Sequence, residues 1–551
     1  MVKKNLLANP YFFLVLALLL FFPVFLTNIA DQPIIEDESI RALVAFEMHK
    51  SGDYITPTIG GEPYFKKPPL YNWLIAASYS MFGNYSETSL RFPMILSLLF
   101  FSLTIFFFVK KEMGTKMGVI NALIFMTVGR ILFFETLHGL IDITYSWLTY
   151  LFFMTIYVFF RKKKYLLLFV SAYFISSITY LMKGLPSLVF LGITLLVLFI
   201  SNKQFKMLFN WRHFVGIFIL IVIVGGYYLL YFNANDISPK ELLWILLDQT
   251  TRRTVIRFGW LNTLMGIFTF PFAMFYHFLP WTILVIMLLS KGNFKKIKSN
   301  PFIKYNALIL LFNVFVYWTS PEVHARYIIM LLPLSFTVLT WLYFDKKEKD
   351  HKLVTISEYI LGILLIASSI APFGALFHEV TNVFPHILLK AICVSAALVL
   401  LTVFFWKQKQ MRLFWTAIAL LVIRLGFDVI VLPTRQLNTP EIPAENLAIE
   451  VAEQTAGQPL VSYWNPEFEP FDYYRKSYLL FRYHFYLSRA RDEIVYISSE
   501  KQPGVIYFAF EEHIKGEPVN IIGAVVQNIE KTKPCVLFTF DFEDPPLSKD
   551  N

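Results

Sequence analysis

The chain has little charge. Asp, Glu, Lys and Arg make up only 16% of its 551 residues, against about a quarter in soluble globular domains. Hydrophobic residues reach 56%, and Phe alone occurs 58 times. So few polar groups cannot cover a soluble surface, so lipid is the main solvent. Cysteine is nearly absent. Cys393 lies in an apolar run and Cys535 lies near the C-terminus, which excludes a disulfide framework and a Cys-based metal site. There is no glycine-rich phosphate loop in the C-terminal part, no HExxH motif anywhere, and no internal repeat. The last absence weakens a transporter or flippase reading, which calls for paired halves. The net charge of +10 could suit nucleic acid. The basic residues, however, fall in short clusters between apolar runs, so they read as topology signals and no nucleic-acid partner is expected.

A spanning helix needs roughly 20 apolar residues. Runs near 11–29, 90–109, 117–134, 143–160, 165–182, 185–200, 213–232, 271–290, 305–319, 326–344, 355–373, 386–406 and 413–432 predict about thirteen spans. The first run is long for a signal peptide, lacks a clear small-x-small cleavage site, and reads as an uncleaved anchor. Every second connection is basic. Lys3 and Lys4, Lys110 and Lys111, Arg161 to Lys164, and Lys203 with Lys206 begin the series. Lys291 to Lys304, Lys346 to Lys352, and Lys407 to Arg412 continue it. This alternation puts the N-terminus in the cytoplasm and everything after residue 433 outside.

Two outer connections are long enough to carry function, about 30–89 and 233–270. The tail, 434–551, changes composition and reads as a small α/β domain. AENLAIEVAEQT (444–455) and YLLFRYHFYLS (478–488) are expected helices. PLVSYW (459–464), EIVYIS (493–498), VIYFAF (505–510) and CVLFTF (535–540) are expected strands. The expected architecture is therefore an all-α polytopic membrane domain over 1–433 followed by this tail.

The first outer loop carries the densest signal. Residues 38–49 have helical spacing, and Arg41 falls three residues after Glu38 and four after Asp37, so the three can form one polar cluster. Gly60-Gly61, Pro63 and Pro68-Pro69 then demand turns. Tyr64-Phe65-Lys66-Lys67-Pro68-Pro69 sets two cations on a rigid, aromatic-flanked stretch. Taken alone, such a stretch is more often an anchor on anionic membrane lipid than a substrate site.

The motifs DExxR, SGDY with a following Pro, and YFxKPPLYNW together resemble the first periplasmic loop of the aminoarabinose (4-amino-4-deoxy-L-arabinose) transferases. These are GT-C membrane glycosyltransferases, distantly similar to protein O-mannosyltransferases. The resemblance implies thirteen transmembrane helices, a periplasmic C-terminal domain and an inner-membrane location. It implies transfer of a sugar from a polyisoprenyl-phosphate carrier to lipid A or another envelope glycan. It implies roles residue by residue: Asp37 as the first-loop carboxylate, Asp142 in HGLIDIT as the second, Lys67 as the loop lysine, and Lys183 in the Lys183-Gly184 pair. Arg252 in DQTTRR is the implied arginine, competing with Arg253. FLPW (278–281) and ARYIIMLLP (325–333) also fit. Two departures stand out. Lys66 replaces the acidic residue of YFEKPP, and Gln249 replaces the His of EHxxR. In the family those positions help hold zinc, so neither metal nor other cofactor is expected here.

The chemistry gives each residue type a reason. Attack on the sugar carbon builds oxocarbenium character and expels a phosphate. Asp37 and Asp142 can orient or deprotonate the acceptor, while Lys67, Lys183 and Arg252 can stabilise the phosphate. Glu38, Arg41 and Tyr64 are supporting residues. The bland readings compete: Asp37 merely paired with Arg41, Asp142 solvated in a loop, Lys183 snorkelling. Arg130, Arg424 and Asp428 sit in or near apolar runs and are expected to face protein interior without a catalytic role. Rival functions are a protein O-mannosyltransferase-like enzyme, a transporter or flippase of lipid-linked sugars, and an envelope sensor acting through its tail.

Overall fold

A computed structural model describes residues 6–64, 66–235, 237–238, 240, 255–320, 324–349, 351–382, 384–438, 442–463, 478–523 and 535–541. The chain forms two compact units. The first comprises Met1–Gln32, Lys66–Tyr71 and Arg91–Thr434; the second comprises Pro33–Phe65, Asn72–Leu90 and Arg435–Asn551.

The first unit is a helical bundle. Among the described residues, ten helices are long and apolar enough to cross a membrane, or eleven with one bent pair. Among the described residues these helices do not confirm the expected thirteen. Pro186–Ser201 is apolar but short. The run at 271–290 is not one helix: a helix ends at His277 and a 3₁₀ segment, Trp281–Leu289, begins beyond Pro280. Proline lacks the N–H that would continue the ladder. Outward faces carry exposed Leu19, Phe107, Phe218 and Phe272, as lipid-facing helices must. Inside, polar side chains join helices. The Tyr305 hydroxyl donates to the Phe153 carbonyl at 2.6 Å, and Asn121 Nδ2 donates to Thr340 Oγ1 at 3.0 Å.

Local sequence sets the element ends that matter below. Helices Asp142–Arg161 and Tyr165–Lys183 are joined by only three residues, so they run antiparallel. The first begins with an acid and the second ends with a base, each complementing its helix dipole. Gly184, at φ 81°, stops the second. The bent pair, Thr115–Met126 and Gly129–Leu137, turns by 43°. At the bend the Gly129 N–H donates to the Leu279 carbonyl at 2.8 Å. A Cβ there would lie 2.7 Å from that oxygen, so the approach requires glycine.

The second unit holds helix Glu36–Ser51, a two-stranded hairpin and a five-stranded sheet. The hairpin pairs β1, Thr58–Ile59, with β2, Glu62–Pro63. The sheet strands are β3 (Leu460–Tyr463), β4 (Tyr496–Ser498), β5 (Ile506–Phe510), β6 (Val519–Ile521) and β7 (Cys535–Phe540), in the order β4-β3-β5-β7-β6. β3 runs parallel to β4 and β5; β7 is antiparallel to β5 and β6. Tyr463, Tyr507, Val536, Phe538 and Phe540 pack one face. Helices Ile442–Gln454 and Tyr478–Arg491 pack on each other, and the Tyr483 ring stacks on Phe508 at 4.6 Å. The four expected strands and both expected tail helices are present; β6 is an addition.

Candidate active site

In the bundle, Lys183 Nζ donates to Asp142 Oδ1 at 2.5 Å, and Arg326 Nε lies 3.7 Å from Asp142 Oδ2. The first contact is a charge-assisted hydrogen bond. The second is too long for a hydrogen bond and is a charge contact. The three side chains are 5%, 10% and 7% exposed for Asp142, Lys183 and Arg326. Asp142 is thus a buried acid held by two cations, rather than a solvated loop residue. Lys183 does not snorkel: its ammonium also faces the rings of Tyr327 and Tyr145 at 4.5 and 5.0 Å, which adds cation–π attraction. Lys67 lies within electrostatic reach of Asp142.

A second acid adjoins this cluster. Glu135, 1% exposed, accepts from Arg130 Nε at 2.6 Å and interacts electrostatically with Asp142 and Arg326. Arg130 also approaches His277 Nδ1 at 3.4 Å. Arg326 and Glu135 received no role from the sequence. Arg326 falls inside ARYIIMLLP, read as a motif without assigned chemistry, and its position at the start of an apolar run was the available signal. Arg424 and Asp428 behave as intramembrane charges should. They pair at 2.7 Å with both side chains fully buried, and Arg424 also reaches Thr136 Oγ1 at 2.6 Å.

In the second unit, Asp37, Glu38 and Arg41 occupy the first two turns of helix Glu36–Ser51. Glu38 Oε2 accepts the Ile35 N–H at 3.4 Å, satisfying a helix-end donor. Arg41 turns to other partners. Its guanidinium donates to Asn72 Oδ1 and to the Tyr64 hydroxyl, each at 3.4 Å. Burial pushes the Tyr64 phenol up, against the pull of Arg41. Arg252 lies outside the described residues, as do Arg253 and Gln249.

Lys66 carries an ammonium, and a protonated amine offers no lone pair to a metal. Among the described residues no three His, Cys, Asp or Glu side chains gather to hold a metal.

Comparison with known proteins meets this geometry. Residues 66–228 match the family model of dolichyl-phosphate-mannose-protein mannosyltransferases, a stretch that includes Lys67, Asp142 and Lys183. The crystal structure of ArnT from Cupriavidus metallidurans bound to undecaprenyl phosphate superposes with a TM-score of 0.64. Identity is 16%, over 96% of this chain and 97% of that one. The fold is that of ArnT. The apo form of the same ArnT gives a TM-score of 0.63 at 15% identity, again over 96% and 97% of the two chains. An Aquifex aeolicus (strain VF5) protein, described only as uncharacterized, is 24% identical over 217 residues. That match spans 39% of this chain and 42% of the relative's length. The fold implied by the first-loop resemblance is therefore the one observed: a multi-pass membrane chain with an ArnT-like fold and a small sheet in its C-terminal part.

Proposed function

We propose that the protein moves a sugar from a polyisoprenyl-phosphate carrier to lipid A or another envelope glycan at the periplasmic face of the inner membrane. The observation that carries this reading is the charge around Asp142. Lys67, Lys183 and Arg326 bring three cations to one carboxylate, while Glu135 is matched by Arg130. A polyprenyl phosphate bearing a sugar is a diester with one negative charge. When the carbon–oxygen bond to the sugar breaks, the electron pair stays on the phosphate and its charge grows. Excess positive charge in a buried setting favours that growth over the ground state. The ArnT neighbour is a complex with undecaprenyl phosphate, which supports the same carrier class here.

The remaining roles follow from the chemistry. The acceptor oxygen attacks the sugar carbon, and its proton passes to a carboxylate, for which Asp37 is our candidate. Asp142 holds Lys183 and Arg326 where the phosphate needs them. Arg252 would add a further cation. The sugar suggested by the resemblance is 4-amino-4-deoxy-L-arabinose. The mannosyltransferase family match favours one alternative, transfer to a protein hydroxyl.

The test is transfer by the purified full-length protein from polyprenyl-phosphate sugars, beside mass spectrometry of lipid A and envelope glycans from cells with and without the gene. Arg326→Gln should raise the donor KM roughly ten- to a hundredfold, the worth of one charge-assisted hydrogen bond. A wild-type protein that transfers no sugar from any such carrier overturns the reading.

A further inference from the structure

The described unit that contains the C-terminal sheet also contains a buried acid outside the reaction scheme. Glu47 lies on helix Glu36–Ser51, beyond the turns that carry Asp37 and Arg41, and is fully buried. Its carboxylate faces the β1–β2 hairpin. It accepts from Thr58 Oγ1 at 2.7 Å, from the Gly60 N–H at 2.5 Å and from the Gly61 N–H at 3.2 Å. Three converging donors are what a buried carboxylate needs to stay satisfied. Burial still pushes the Glu47 acid up, against the pull of these donors.

The turn is gripped from its other side as well. Its Gly60 carbonyl accepts the Ile497 N–H of edge strand β4 at 2.9 Å. A Cβ on Gly60 would lie 2.4 Å from Ile497 Cγ1, and one on Gly61 would lie 2.5 Å from Tyr496 Cδ1. Both glycines also have positive φ, 60° and 80°. A side chain at either position would have to displace that of Ile497 or Tyr496 and adopt a backbone conformation that favours glycine. The hairpin then leads straight to Tyr64. The Tyr64 N–H donates to the Pro57 carbonyl at 2.7 Å, and the Tyr64 hydroxyl receives Arg41.

We propose that Glu47 is a positioning residue for the transfer reaction, and that strand β4 of the C-terminal sheet is the surface against which it locks the Gly60-Gly61 turn so that Tyr64 holds Arg41 in place. The C-terminal sheet carries none of the reacting groups proposed above, yet on this reading it sets the geometry around the helix that carries Asp37. The inference rests on the transferase reading.

The experiment uses the full-length protein in detergent and four variants: Glu47→Gln, Gly60→Val, Thr58→Val and Thr58→Ser. Glu47→Gln turns an amide donor toward backbone donors, Gly60→Val drives a side chain into Ile497, and Thr58→Val removes a hydroxyl that Thr58→Ser restores. Initial rates are separated into kcat and donor KM. Hydrogen exchange follows the amides of residues 58–64. The expected result is exposure of the Gly60 and Gly61 amides in the first two variants. Their kcat should fall roughly 10- to 100-fold, as small misplacements at a distance do, with donor KM unchanged because the donor cations belong to the other unit. Thr58→Val should show a milder loss, and Thr58→Ser should behave as wild type. Exposed amides with unchanged kcat overturn the proposal. So does a loss of activity that merely tracks the loss of folded protein across all variants, or amides that stay protected in Glu47→Gln. Absence of any transfer by wild type strikes the transferase reading instead, and the exchange data then decide alone whether Glu47 holds the turn.

Discussion

Asp142 and Lys183 end two helices that are joined by a three-residue turn, yet they meet 41 positions apart in the chain, with Oδ1 and Nζ at 2.5 Å. The pair is sealed at 5% and 10% exposure. Removing one partner strands a charge in a low-dielectric interior, a loss of about 3–5 kcal/mol. Asp142→Asn and Lys183→Met should therefore both lower the melting temperature in detergent, and both should lose transfer. The triple variant Asp142→Leu/Lys183→Met/Arg326→Met, which removes all three buried charges, should regain much of the melting temperature without regaining activity. Single variants that melt like wild type would show that the pair is not buried as described.

For Asp37 the prediction concerns turnover. This residue is half-buried on the first turn of its helix, and Arg41 is engaged by Asn72 and Tyr64. Asp37→Asn should keep the melting temperature and donor binding while turnover drops by roughly 10²–10⁴. Near-normal turnover in a well-folded Asp37→Asn protein removes Asp37 from the mechanism.

His484 makes the C-terminal part sensitive to acid. It is 2% exposed, its Nε2 meets the Val495 carbonyl at 2.5 Å, and burial pushes the imidazole from 6.5 down to about 4. Between these values the unfolded chain binds a proton that the folded one refuses. Stability therefore rises with pH across this window and is lost as pH falls from 6.5 toward 4. The gap corresponds to about 3 kcal/mol. Melting of the full-length protein should show this slope, and His484→Gln should flatten it.

Orientation is testable without kinetics. If the basic connections face the cytoplasm, as the positive-inside pattern predicts, residue 433 and all that follows lie in the periplasm. A reporter active only there, fused after residue 433, should be active. Signal from a cytoplasmic reporter at that point would reverse the assignment of the active face.

The tail was readable because its strands are short β-branched and aromatic runs between turns. PLVSYW, EIVYIS, VIYFAF and CVLFTF each contain the observed strand. Strand β6 was not readable. Val519–Ile521 is only three residues at a sheet edge, with Asn520 and Ile521 exposed, so neither length nor alternation marks it. The run at 271–290 misled for a different reason. Hydropathy averages over Pro280, while the backbone stops there. In the site, helical spacing suggested Arg41 for Asp37 and Glu38, but the guanidinium reaches across to Asn72, 31 residues away. Periodicity reports neighbours on one helix. The meeting of Asp142, Lys183 and Arg326 depends on how helices pack, which no local pattern encodes.

The second compact unit is drawn from three stretches of chain, the last beginning at Arg435. Helix Glu36–Ser51 packs on helix Tyr478–Arg491, where the rings of Phe46 and Phe485 sit 6.4 Å apart. During synthesis at about 5–20 residues per second, the early helix waits on the order of tens of seconds for its partner. Its buried face must be shielded for that interval by something other than its final neighbour. The same fact changes what a truncation means. A chain cut near residue 434 would lose more than an appendage: Asp37, Arg41 and Glu47 would stand on a helix without the partner it packs against.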